Sequence, residues 1–168
     1  MNFLAALQTY FDGETWTGYG LMATGAAALL FALALYKSQS GGFLWAGAVP
    51  LLLYGLGGLG GGAGLALRTA KQVPALQQAY RQDPQAMVAQ ELPRMERVNA
   101  NWPRVKTTWT VIIAVSLILI WAGAGTWMSA LGVSLILICA SLLTVDVYAE
   151  RRAVPYTQAL ISAVPSPD

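Results

Sequence analysis

The sequence predicts an all-α integral membrane protein. It reads as a four-helix bundle made of two transmembrane hairpins, with a cytoplasmic amphipathic helical hairpin between spans 2 and 3. Three observations carry this expectation. The 168 residues are 56% hydrophobic and 11% charged, against roughly 25% charged in soluble domains, which is more apolar surface than a soluble core of this size hides. Seven of the ten Lys and Arg residues fall between Arg68 and Lys106. Long, nearly uncharged runs flank that segment, two on each side.

The chain is short enough for one domain. At its start, Phe3, Leu4, Leu7, Tyr10 and Phe11 recur at helical spacing. Residues 2–11 therefore read as a short interfacial helix lying on the membrane and ending at Asp12-Gly13. No Lys or Arg precedes Trp16, and the apolar run that follows is too long for the core of a signal peptide, so a cleaved leader is not expected.

A hydrocarbon layer of about 30 Å needs roughly 20 residues of helix. Residues 16–36, 43–67, 109–127 and 128–148 meet that requirement. The second run is the longest and should tilt or project. A polar linker, Lys37 to Gly42, joins the first two runs, and a tight turn near Gly125 to Gly132 joins the last two. Short connections make consecutive spans antiparallel neighbours. Trp16, Tyr19, Tyr36, Trp45, Trp109, Trp127 and Tyr148 sit near span ends, where amphipathic rings favour the headgroup level. Tyr54 and Trp121 lie deeper in their runs and should pack between helices.

Charge sets the sidedness. The middle segment carries Arg68, Lys71, Arg81, Arg94, Arg97, Arg104 and Lys106, and Arg151 and Arg152 follow the last span, whereas the other side has only Lys37. The positive-inside rule then places both termini and the middle segment in the cytoplasm. Ala153 to Asp168, with three prolines, should be a loosely held tail.

Within the second span, Gly57, Gly58, Gly60, Gly61, Gly62 and Gly64 give repeated small-xxx-small spacings. Close packing against the first span, itself rich in small residues, is the plain expectation. A hinge assisted by Pro50, or a groove for a ligand or permeant, are the alternatives. The run lacks the Lys-Ser/Thr ending of a phosphate-binding loop.

The middle segment, 68–108, has helix-start signals at Val73-Pro74 and Asp83-Pro84. From there Val88, Leu92, Met95, Val98, Trp102 and Val105 mark one helical stripe, opposite Arg94, Arg97 and Arg104. Pro93 and Pro103 should kink or restart the helix. The stripe must be covered by its partner arm (Leu76, Tyr80), by the membrane surface or by another protein. Val88, Leu92, Met95, Val98 and Trp102, with Arg94 and Arg97, form the candidate partner surface. Glu91 and Arg94 should make only a weak exposed pair.

Asp146 is the one acid inside the apolar spans and is expected to pair with a juxtamembrane cation, Arg151 being a candidate. There is no histidine, and the single cysteine, Cys139, allows no intrachain disulfide. No nucleophile–base pair, metal-ligand cluster or cofactor motif is visible, so neither enzyme chemistry, metal nor cofactor is expected. A net charge of +2, confined to membrane-flanking segments, does not point to nucleic acid. Span centres without charge also disfavour a proton-coupled transporter.

Four spans, an Ala/Gly/Leu-rich composition and a central segment containing Glu91-Leu-Pro-Arg-Met-Glu-Arg-Val-Asn99 resemble the small inner-membrane immunity proteins of interbacterial toxins. The resemblance implies a non-catalytic protein that binds and neutralises a membrane-acting toxin, and it carries over no individual residue. The same features fit an accessory subunit of a membrane complex or, as a homo-oligomer, a small channel or transporter.

The orientation predicts that reporters fused within residues 80–90 and at the C-terminus both report the cytoplasm; a periplasmic signal from either contradicts it.

Overall fold

The computed structural model describes residues 2–163, which form four long helices separated by three short breaks. Helix α1 is Phe3–Ser38, α2 is Gly41–Gln82, α3 is Pro84–Ala122 and α4 is Trp127–Ser162. All four are long and apolar enough to cross a membrane, so the chain is an all-α membrane protein. Helices of 36 to 42 residues reach about 54–63 Å at 1.5 Å per residue, about twice the apolar thickness of a bilayer. The excess lies at one end, where residues 3–15, 68–82, 84–108 and 149–162 come together. We call this end the head.

Each break has a local cause. Gln39 and Ser40 are extended, and Gly41 then takes a φ of 63°, which an L side chain resists. Asp83 alone separates α2 from α3. Its carboxylate accepts a hydrogen bond from the Ala86 amide at 3.0 Å, and Pro84, which has no amide hydrogen to satisfy, opens the helix. Between α3 and α4 the chain turns over residues 123–126, with Gly125 at φ 74° and Thr126 Oγ1 accepting from the Met128 amide. The third apolar helix therefore ends at Ala122 and Trp127 begins the fourth, so the turn comes earlier than the sequence suggests. Trp121 consequently lies in the last turn of α3 and is 84% exposed rather than packed between helices.

Several expected breaks are absent. α1 runs unbroken through Asp12-Gly13. Asp12 accepts a hydrogen bond from Gln8 one turn earlier at 2.7 Å, and Gly13 leaves the space through which the Arg152 side chain passes. The expected helix start at Val73-Pro74 lies inside α2, and α3 does not restart at Pro93 or Pro103, both of which lie inside it. Each proline removes one backbone hydrogen bond, and packing on both sides of the site holds the helix together. The C-terminal segment is not loose over its described part: α4 continues through Pro155 to Ser162, burying Ala153, Tyr156, Ala159 and Leu160. The remainder of the expected tail, from 164, lies outside the described residues.

In the apolar half, α1 packs along α2 at backbone contact distance. A Cβ built on Gly58 would lie 2.8 Å from the Leu21 carbonyl oxygen, and one on Gly25 would lie 2.8 Å from the Gly55 carbonyl oxygen. Gly62 and Gly18 oppose each other in the same way. α4 meets α3 at Gly132, against the Ser116 carbonyl, and meets α2 where Ser134 Oγ donates to the Gly47 carbonyl at 2.9 Å. Around this seam the large side chains Leu30, Leu53, Leu56, Ile118 and Leu137 point outward, as lipid-facing residues do.

Candidate functional site

Three regions hold the residues that the sequence singles out. The first is the head. Its core takes Phe3, Leu7, Tyr10 and Phe11 from α1, Met87, Val88 and Met95 from α3, and Tyr156 and Leu160 from α4. Leu76 and Tyr80 of α2 close the remaining side. Tyr156 is central: its ring stacks on Tyr10 with centroids 4.7 Å apart and meets Phe11 edge-on at 6.0 Å, while Phe3 meets Tyr80 at 4.4 Å. The N-terminal apolar residues are thus packed into a four-helix core as the first turns of α1, not set apart as a separate short helix.

The expected partner surface is consumed by this packing. Met95 is fully buried and Val88 nearly so, while Leu92, Val98 and Trp102 pack against the same core. Of the stripe's basic neighbours, Arg97 is exposed and Arg94 is tied down. Arg94 Nε donates to Glu91 Oε2 at 2.8 Å and its Nη2 reaches the other oxygen, a two-pronged pair. Tyr156 O–H donates to Glu91 Oε1 at 3.2 Å. Glu91 is 6% exposed and Arg94 is partly exposed, so the pair is half-buried and tied to the core rather than the exposed surface pair expected.

The second region is the polar seam between α3 and α4, which runs from within the head to just beyond it. Asn99 Nδ2 donates to Thr157 Oγ1 at 2.8 Å, and Lys106 Nζ donates to both Glu150 oxygens at 2.8–2.9 Å. Trp109 Nε1 donates to Asp146 Oδ2 at 2.6 Å. Asp146 therefore finds an indole, not Arg151. Arg151 instead lies over the Tyr148 ring, 5.9 Å from its centroid. Its neighbour Arg152 reaches α1, with Nη2 donating to Thr17 Oγ1 at 2.8 Å and an ion pair to Glu14 at 3.6 Å. Two arginines, Arg151 and Arg152, lie within two turns of Asp146, and the helix faces decide which group meets it. Among the described residues, no three acidic or cysteine side chains converge to hold a metal ion.

The third region is the glycine-rich stretch of α2. Gly55, Gly58 and Gly62 face α1. Gly57, Gly60, Gly61 and Gly64 face away from it, and a Cβ built on any of them meets nothing within 4 Å. One half of the run is a helix–helix seam and the other is a bare strip.

The interior of the apolar half holds a feature that sequence spacing did not reveal. Tyr54 of α2 hydrogen-bonds Thr24 of α1 and Ser141 of α4, each at 2.8 Å. Thr24 and Ser141 stand out in sequence only as midspan hydroxyls, and no periodicity links them to Tyr54.

Burial pushes both stacked phenols of the head above the usual tyrosine range. Proximity to Glu14 adds to the effect at Tyr10, and proximity to Glu91 adds to it at Tyr156. A phenol that holds its proton to higher pH in the folded state stabilises the fold fully below about pH 10, the unfolded value. That contribution fades as pH rises beyond it. In detergent, the tyrosinate absorbance contributed by Tyr10 and Tyr156 should appear only together with unfolding. The double variant Tyr10→Phe, Tyr156→Phe should flatten the alkaline loss of stability. Ionisation of these two phenols near pH 10 with helicity intact would contradict the packing described. The chain matches no protein-family model, no curated protein and no solved structure.

Proposed function

We propose that this is a non-catalytic integral protein of the bacterial inner membrane that binds a protein partner through its membrane-embedded surface. The observation that carries this reading is the bare glycine strip of α2. Gly57, Gly60, Gly61 and Gly64 lie at small-xxx-small spacing, open to their surroundings, beside exposed Leu53, Leu56 and Leu67. In lipid, close backbone approach is a principal source of helix association, and the companion strip on the same helix already serves that purpose with α1. The head offers less, because the stripe that would have recruited a partner there is packed inward.

The architecture and the Glu91–Asn99 segment supply the partner class. They resemble small immunity proteins, so the partner is a membrane-acting bacterial toxin that this protein holds and neutralises. The two hairpins, α1 with α2 and α3 with α4, span the membrane, and the head with its excess of Lys and Arg stands in the cytoplasm. An accessory role in a membrane complex would use the same strip, as would a second copy of the chain.

Affinity capture from native membranes tests this reading. Gly57→Leu with Gly61→Leu places side chains only on the open strip, so the protein should fold normally and lose its partner by tenfold or more, on the order expected when close helix approach is blocked. Gly58→Leu with Gly62→Leu should instead destabilise the monomer itself, because both new side chains meet α1 backbone. Undiminished capture by the open-strip variant would refute the membrane-embedded interface. Capture of only the chain's own copies would favour the homo-oligomer.

A further inference from the structure

A cavity of about 350 Å³ lies between α1, α2 and α4 in the apolar half, within the roughly 300–1,000 Å³ range of small-molecule sites. Thr24, Tyr54 and Ser141 supply its polar groups, and Ala27, Phe31 and Leu137 are among its apolar walls. Phe31 and Leu137 are each about half exposed on the outer surface of the bundle (48% and 49%), so the cavity opens toward lipid rather than toward water.

One proton order satisfies all of the hydroxyl contacts. Thr24 Oγ1 donates to the carbonyls of its own helix, Gly20 at 3.0 Å and Leu21 at 3.2 Å. A hydroxyl has one proton; with that of Thr24 on its own helix, Thr24 accepts from Tyr54 and Tyr54 accepts from Ser141. Ser141 makes no bond to its own helix, unlike Thr144, which donates to the Ala140 carbonyl. Its proton is committed to Tyr54, and its free lone pairs are left at the cavity wall. No charged side chain lines the cavity, so an ionic headgroup drawn into it would go unpaired in an apolar medium, at high cost.

We propose that this cavity binds a neutral, lipid-soluble molecule with an apolar chain and a single hydrogen-bond donor, that is, a long-chain alcohol. It enters sideways from the bilayer, lays its chain along Ala27, Phe31 and Leu137, and donates its hydroxyl to Ser141 Oγ. The site is separate from the bare glycine strip and does not depend on the partner proposed for it.

The test uses the full chain in phospholipid nanodiscs with a diazirine-bearing long-chain alcohol as photoprobe. Cross-links should concentrate at residues 24–31 and 137–141. Excess hexadecanol should suppress them, and equal amounts of hexadecane or of the methyl ether should not. Ser141→Ala should lower labelling about tenfold, the loss expected for one buried hydrogen bond. Ala27→Trp, a substitution at an exposed position on the cavity wall, should abolish labelling with the melting temperature unchanged. That variant carries the test if Ser141→Ala disturbs folding. Labelling spread evenly over the lipid-facing surface, or competed equally by the alkane, would mean that ordinary acyl chains fill the groove, and would overturn the proposal. Labelling that survives Ala27→Trp would do the same.

Discussion

The four helices depend on the aromatic and aliphatic core of the head, centred on Tyr156. Inside a bilayer, apolar side chains gain little by leaving lipid for one another, and helices associate there mainly through close packing and hydrogen bonds. Only beyond the apolar layer does burial from water provide a strong drive, about 25 cal/mol per Å² of apolar surface. Of the two apolar clusters among the described residues, the one in the head is the larger. Leu7, Met95, Tyr156 and Leu160 are almost wholly enclosed, and every helix contributes to the enclosure. Each helix is continuous from head to apolar half, so fixing four helix ends in the head also fixes the starting points of four spans.

The apolar half is held by more modest means. Facing glycines bring α1 and α2 into backbone contact, Gly132 brings α4 onto α3, and Ser134, Tyr54 and Thr24 bond across helices. Small residues and single hydroxyls leave room, and that room has two consequences. On α2 it appears as a strip of glycine with nothing over it. Between α1, α2 and α4 it appears as a cavity with a short hydroxyl relay at its wall. The polar seam along α3 and α4, from Asn99–Thr157 to Trp109–Asp146, aligns the hairpin where head and apolar half meet.

Much of this was legible in the sequence. The four apolar runs, the Asp83-Pro84 helix start and the helical period of Val88, Leu92, Met95 and Val98 all correspond to features of the fold. Periodicity shows which face of a helix is apolar, but not what covers it. The partner arm expected to cover the stripe at 88–102, Leu76 and Tyr80, does pack on it, but most of its cover is the stripe at 3–11, some eighty residues away in sequence. Prolines at 74, 93, 103 and 155 looked like boundaries because their local cost is visible in sequence and the packing that offsets it is not. The partner of Asp146 was illegible for a related reason. Cations lay nearby in sequence, and the rotation of α3 against α4 decided for Trp109.

The central claim is that residues 3–13, 86–98 and 153–160 form one cooperative head. Hydrogen–deuterium exchange on the protein in nanodiscs measures this directly. The account predicts that the amides of these three segments are protected to a similar degree and lose protection together as denaturant is raised. Fast, independent exchange in 3–13 or 153–160, with 86–98 still protected, would show a surface-lying N-terminal helix or a loose tail and would contradict it.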